Sequence, residues 1–171
     1  MALPGAKEVT LELNSFSKSH NMAGWRIGWV TAHEQYINAI LKVKSNIDSG
    51  MFLPVQHAAI EALSNSSEWY EMQNSAYQKR QKIAWQIMDE IGASYDRDNV
   101  GMFVWAKVKD QIKDVEAFVD SLIYEAGVFI TPGKVFGSNG NRYVRISLCS
   151  TEEVLTEALA RISNFMKTIQ S

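Results

Sequence analysis

The stretch Ser15-Phe16-Ser17-Lys18-Ser19-His20-Asn21-Met22-Ala23-Gly24-Trp25-Arg26-Ile27-Gly28 decides how the rest of the chain is read. Upstream of it, Val9, Leu11 and Leu13 alternate with Thr10, Glu12 and Asn14, and this period of two predicts a strand over Glu8 to Ser15. Ser17 to Gly24 is rich in turn-forming residues and ends that strand. Trp25 to Thr31, aromatic and branched, predicts a second strand. The loop between them carries an amine, hydroxyls and a guanidinium. A lysine alone carries no information, because most lysines are solvated surface charges. The combination does: an amine at a strand end can condense with an aldehyde, a nearby serine and arginine can hold a phosphate dianion, and glycines let backbone approach a ligand closely. Such a loop suits a phosphorylated aldehyde.

Downstream, the pattern predicts helices over about His33 to Ile47, with Tyr36, Ile37, Ile40, Leu41 and Lys44 on one face, and over Pro54 to Leu63, opened by a proline suited to a first turn. A longer helix is predicted from Ser66 to Ile91, where Trp69, Met72, Ala76, Ile83, Ile87 and Ile91 recur at helical spacings and Gly92 supplies a stop. Gly101 to Val108 then reads as a strand. Asp114 caps a helix whose stripe is Val115, Phe118, Val119, Leu122, Ile123 and Ala126, ended by Gly127. Val128 to Thr131 reads as a short strand, Pro132 to Asn141 as a loop, and Arg142 to Leu148 as another strand. Ser150 with Glu153 forms an expected capping box for a last helix that buries Val154, Leu155, Ala158, Leu159, Ile162, Phe165, Met166 and Ile169. The second half is thus a self-sufficient α+β unit.

With 171 residues, 46% of them hydrophobic, the chain can bury a substantial core and disorder is not expected. A net charge of -2, from 17 basic and 19 acidic residues interspersed, leaves no footprint for a nucleic acid or an anionic membrane. Cys149 stands alone, so no internal disulfide forms and a reducing compartment is expected. His20, His33 and His57 lack neighbours at ligand spacing, so no metal site is expected. Neither a leader nor a membrane span is apparent, and a soluble cytoplasmic protein is expected. The tryptophans Trp25, Trp29, Trp69, Trp85 and Trp105 read as packing residues.

Ser15-x-x-Lys18 followed by Gly24-x-Arg26-x-Gly28 resembles the cofactor-lysine signature of class I/II aminotransferases, the fold-type I enzymes dependent on pyridoxal 5'-phosphate. A second match lies downstream, in Thr131-Pro-Gly-Lys-Val-Phe-Gly137, Gly140 and Tyr143-Val-Arg-Ile-Ser147. The resemblance runs from about Gly5 to the carboxy terminus. It implies that Lys18 forms a Schiff base with the cofactor and moves the substrate α-proton, that Ser15 and Arg26 bind the cofactor phosphate with Ser17 as a second hydroxyl donor, and that Arg145 grips the substrate α-carboxylate. A planar guanidinium on a strand does this well. Arg142 competes by position, but strand alternation sends it to the opposite face. The Gly101 to Trp105 strand also resembles family sequence, where it helps line the substrate side.

The implied fold is α/β: the carboxy-terminal part of the pyridoxal-phosphate-dependent transferase fold, with residues 1–65 as the tail of the large domain and 66–171 as connecting helix and α+β small domain. The implied reaction passes an amino group between an α-amino acid and a 2-oxo acid, in a parent enzyme that is a homodimer. The run Asn21 to Trp25 is similar to the aspartate and diaminopimelate branches. Only a dozen or so residues precede Ser15, so the carboxylate for the pyridine nitrogen and the aromatic group for the ring face are expected from segments outside this chain. By itself the chain is expected to be inactive and to expose apolar faces. A lyase or a regulatory ligand sensor on the same fold is the alternative. Taken singly, each residue also has a structural role: Ser15 and Ser17 as strand-end hydrogen bonders, Arg26 as a surface salt-bridging residue, and Arg145 as half of an ion pair.

Overall fold

The computed structural model describes residues 2–170. The chain forms two compact units, Met1–Ser67 and Glu68–Ser171, each with its own core. In the first unit, the alternation that predicted a strand from Glu8 is only half used. Ala6–Val9 is a helical turn (α1), and the strand β1 covers Glu12–Ser15. Its partner β2, Gly28–Thr31, pairs antiparallel with it from Glu12↔Thr31 to Ser15↔Gly28. Residues before Glu12 meet no ladder, so their backbone groups are satisfied locally, as in Ala6 N–H to the Leu3 carbonyl at 3.1 Å. Trp25 likewise falls outside β2, in a 3-10 turn over Ala23–Trp25.

Between the two strands lies a single helical turn, Phe16–Ser19 (α2). Beyond them, α3 (Glu34–Ile47) begins at His33, whose ring nitrogen accepts from Gln35 N–H, and α4 (Leu53–Leu63) carries Pro54 in its first turn. Phe16, Met22 and Ile27 pack with Ala59 of α4, flanked by Val55, Ala58 and Ala62. The apolar stripe of α3 stays outside this cluster: none of its residues is buried, and Tyr36 and Leu41 are exposed. Trp25 and Trp29, expected as packing residues, are exposed too and lie outside the core, although Trp29 meets Phe16 edge-on with ring centroids 4.9 Å apart.

In the second unit, α5 (Ser67–Glu90) buries Ala84, Ile87 and Met88. It ends at Gly92, whose φ of 67° is the left-handed stop that a Cβ would disfavour. A four-stranded antiparallel sheet follows, in the order β3-β4-β6-β5: β3 Ser94–Tyr95, β4 Phe103–Lys107, β6 Tyr143–Ser147 and β5 Thr131–Pro132. Val104, Ala106, Val144 and Ile146 point to the buried side and join Val119, Leu122, Ile162 and Phe165 from the helices. Phe103, Trp105, Tyr143, Arg145 and Ser147 alternate to the other side.

Asp114 caps α6 (Val115–Ser121), accepting from the amides of Glu116 and Ala117 at 3.0 Å each. The helix then widens into a π-turn, Leu122–Ala126, and stops at Gly127 with φ 65°. The strand expected over Val128 to Thr131 shrinks to β5, because only Thr131 and Pro132 reach the β6 ladder. β3, two residues long, is too short to leave a period in the sequence. The last helix, α7 (Glu152–Gln170), is preceded by Thr151, whose hydroxyl accepts from Val154 N–H at 3.5 Å; Thr151, not Ser150, is the cap. Glu153 takes a hydrogen bond from that same Thr151 hydroxyl, which holds its carboxyl below the usual range. Among the described residues, no helix is long and apolar enough to cross a membrane, and no cluster of His, Cys, Asp and Glu could hold a metal ion.

Candidate active site

Four of the five residues singled out in the sequence lie around one closed loop of the first unit. The register closes it: Ser15 pairs with Gly28, and the next residue, Phe16, donates its N–H to the Ile27 carbonyl at 3.2 Å. Ser15, Ser17 and Lys18 thereby sit at one end of the loop and Arg26 at the other. Phe16 is buried beneath them, and its carbonyl accepts from His20 N–H at 3.1 Å and Met22 N–H at 3.3 Å. One buried ring in α2 thus anchors the turn that carries Lys18.

Ser15 is the N-cap of that turn, its Oγ accepting from Ser17 N–H at 3.1 Å. The cap uses a lone pair, which leaves the Ser15 O–H to donate elsewhere. Ser19, which the sequence did not single out, donates its hydroxyl to the Ser15 carbonyl at 3.1 Å and lies 2.8 Å from His20 Nδ1. Among the described residues, Asn21 and Arg26 are the two non-glycine residues with left-handed backbone, φ 54° and 51°. Asparagine tolerates this region and arginine does not, so Arg26 is held against its preference, a feature that concentrates at ligand sites. Its guanidinium donates one bond, at 2.9 Å, to the Ala23 carbonyl. At Gly28 an added Cβ would lie 2.4 Å from the Asn14 carbonyl oxygen, so only glycine permits this strand approach.

A pyridoxal phosphate presents an aldehyde and a phosphate, and this donor set matches both. It offers an amine at Lys18, hydroxyls at Ser15 and Ser17, and a guanidinium at Arg26 that carries more donors than the loop consumes. The residues present therefore fit those two ends of the cofactor.

Arg145 belongs to the second unit, on β6, opposite Trp105 of β4 and Thr131 of β5. Its guanidinium carbon lies 4.2 Å from the Phe103 ring centroid and 4.1 Å from that of Phe136, so aromatic rings cover it. Among the described residues no carboxylate pairs with it, and its buried Nε has no hydrogen-bond partner. The ion-pair role considered for it is not what this geometry contains. Arg145 also borders an open groove of about 680 Å³ walled by Phe129, Ile130, Val154, Ala158 and Ile162.

Arg142 goes elsewhere, as strand alternation requires. It donates to the carbonyls of Lys109 at 2.9 Å, Lys113 at 3.3 Å and Ile112, and pairs with Asp110 at 3.8 Å. It ties down the segment before α6. The aromatic cover of Arg145 was not foreseen; the signal was faint, an aromatic residue on the same strand face as Trp105 and another inside the glycine-rich stretch.

Residues 3–162 match the model of the family described as aminotransferase class I and II. The LL-diaminopimelate aminotransferase of Natranaerobius thermophilus is 39% identical over 165 residues, covering 96% of this chain and 42% of that protein. That of Aquifex aeolicus is 42% identical over 164 residues, with the same two coverages. The crystal structure of an aromatic aminotransferase from Pyrococcus horikoshii superposes with a TM-score of 0.89 at 30% identity, over 99% of this chain and 46% of that one. An aspartate aminotransferase from Thermotoga maritima gives 0.80 at 28% identity, over 94% and 40%. The chain spans 42% of the length of these first relatives. With a family match across nearly its whole length and the fold of solved aminotransferases, this chain belongs to the class I and II aminotransferases, a family dependent on pyridoxal phosphate.

Proposed function

We propose that this chain supplies the cofactor lysine, the phosphate-binding loop and the substrate-carboxylate arginine of an enzyme that transfers an amino group between an α-amino acid and a 2-oxo acid. The closed loop that gathers Ser15, Ser17, Lys18 and a strained Arg26 carries this reading. Lys18 Nζ holds pyridoxal phosphate as a Schiff base. Ser15 Oγ–H, Ser17 Oγ–H and the Arg26 guanidinium donate to its phosphate oxygens, each a charge-assisted bond. Once bound, the cofactor supplies the electron sink that makes the substrate Cα–H acidic. With the cofactor in place, the Lys18 Nζ amine would act as the base that takes the proton from the substrate Cα and as the acid that delivers it to the cofactor's aldehyde-derived carbon, so that the amino group is left on the cofactor. Arg145 orients the amino acid by its α-carboxylate.

The two relatives that are LL-diaminopimelate aminotransferases support an α-amino acid as substrate, with diaminopimelate the first to try. The same proposal assigns residues 1–65 to the large domain and 66–171 to the connecting helix and small domain, and places the enzyme in the cytoplasm as a homodimer. The test is a titration of the chain with pyridoxal phosphate, followed by borohydride reduction and peptide mass mapping. Labelling confined to Lys18 and weakened by Arg26→Ala is expected. Labelling scattered over many lysines, with none preferred, would refute the assignment of Lys18.

A further inference from the structure

Among the described residues no carboxylate forms an ion pair with Arg145, although Glu153 and Glu157 line the same groove. An arginine reserved for a ligand carboxylate must avoid internal carboxylates, yet a guanidinium on a flexible stem loses rotamer entropy when a ligand fixes it. Phe103 and Phe136 address both requirements. They lie 4.2 and 4.1 Å from the guanidinium carbon, and aromatic faces attract a cation without occupying its N–H donors. With Nε buried, the outer edge formed by Nη1 and Nη2 is the side left for a ligand.

The element carrying Phe136 is itself pinned. It lies in a 3-10 turn, Gly133–Phe136, that doubles back against a second turn, Ser138–Gly140. A Cβ on Gly133 would lie 2.5 Å from the Gly140 carbonyl oxygen, and one on Gly140 would lie 2.0 Å from that of Gly133. Two backbones cross at glycine–glycine contact. Lys134 adds an ion pair with Glu116 of α6. The Phe103 side is fixed by the sheet, where Phe103 pairs with Ser147 in the β4–β6 ladder.

We propose that Phe103 and Phe136 are positioning residues that clamp Arg145 and present its Nη1–Nη2 edge as a preformed fork for a planar carboxylate. The proposal rests on the assignment of Arg145 to the substrate carboxylate. Rings near the guanidinium shift the Arg145 Nε–H proton resonance by their ring currents and shield it from exchange with water. A substitution that only loosened the sheet would not move that resonance selectively.

The experiment follows the Arg145 Nε–H signal by NMR in the whole chain, assigned by its loss in Arg145→Lys, and titrates each variant with maleate as carboxylate probe. A ring-shifted, slowly exchanging signal is expected in the wild type. In Phe136→Leu and Phe103→Leu the signal should return toward the ordinary arginine position, and maleate binding should weaken about three- to ten-fold. Phe136→Trp should restore both, while the amide spectrum of the sheet stays unchanged. An unshifted, fast-exchanging signal in the wild type overturns the clamp, as does leucine-variant binding equal to wild type. Absence of maleate binding, or binding that Arg145→Lys leaves intact, overturns instead the carboxylate assignment on which the clamp rests.

Discussion

Replacing Gly133 with alanine should destabilise the second unit by about 3 kcal/mol, the upper end of the range for overpacking. The added Cβ would lie 2.5 Å from the Gly140 carbonyl oxygen, 2.8 Å from that of Tyr143 and 2.8 Å from Cη2 of Trp105. Each contact is roughly 1 Å inside the optimal separation of non-bonded heavy atoms. Two of the three atoms are backbone oxygens, which have no rotamer to swing into, and the indole is stacked on Tyr143 with ring centroids 5.1 Å apart. The loop must therefore move, and Phe136 with it. For a unit of this size, a loss of that magnitude lowers the melting temperature by roughly 10 °C or more. Urea unfolding followed by tryptophan fluorescence reads the change directly, because Trp105 touches the substituted atom. Gly24→Ala is the control: nothing lies within 4 Å of its Cβ and its backbone is not left-handed, so its stability should stay within about 0.5 kcal/mol of wild type. A Gly133→Ala variant as stable as the control would refute the claim that the loop crosses at glycine–glycine contact.

Removing the α6 cap by Asp114→Ala should cost about 1 kcal/mol in urea unfolding, since one carboxylate oxygen serves two helix amides. Arg142→Ala should cost roughly 2 kcal/mol, because its charge-assisted bonds hold the 109–113 segment, while leaving maleate binding intact. Weakened binding in that variant would reopen the choice between Arg142 and Arg145. Burial pushes the Tyr95 phenol above its ordinary pKa of 10.0, helped by the hydrogen bond it donates to Asp89. A folded-state pKa raised above the unfolded value contributes stability that is present below about pH 10 and lost as pH rises through the folded value. Tyr95→Phe should therefore flatten the alkaline limb of the stability curve, and tyrosinate absorbance should lose its latest-titrating component.

Features encoded within a few residues were legible from the sequence. Asp114 caps α6, Gly92 and Gly127 stop their helices, and the long periodicity before Gly92 is α5, all decided by local hydrogen bonding and left-handed backbone. What depended on a distant partner was not. Val9 and Leu11 alternate as a strand would, but β2 is only four residues long, and unpaired backbone folded into α1 instead. Val128 to Ile130 has strand composition, yet only the two residues after it reach β6. Thr151 rather than Ser150 caps α7 because the helix begins one residue later than the Ser-x-x-Glu spacing suggests. The residues that line the closed loop of the first unit were visible as a motif, whereas the rings around Arg145 come from a neighbouring strand and a folded loop. Their approach to one guanidinium is a matter of register, which a period of two does not specify.

The loop that carries Lys18 is held by a narrow balance. Asn21 adopts left-handed backbone at little cost, but Arg26 in the same region costs about 1–2 kcal/mol. Against this stand the burial of Phe16, roughly 1.5–3 kcal/mol, and the Arg26 bond to the Ala23 carbonyl, about 1 kcal/mol. The remaining core of the first unit is Met22, Ile27 and Ala59, with Leu13, Val43, Phe52 and Ile60 left exposed. Before the entropy of ordering the loop is counted, these local terms leave a margin of only a few kcal/mol, comparable to what two or three charge-assisted bonds to a phosphate would contribute. On the proposed assignment, a phosphate dianion held by Ser15 and Arg26 would also stabilise the strained backbone that presents them, so cofactor binding and loop order would be coupled. Arg145 differs in kind, since its strand lies over a deep core running from Ala84 to Met166 and its guanidinium rests between the rings of Phe103 and Phe136, so the proposed carboxylate fork would need no ligand to order it.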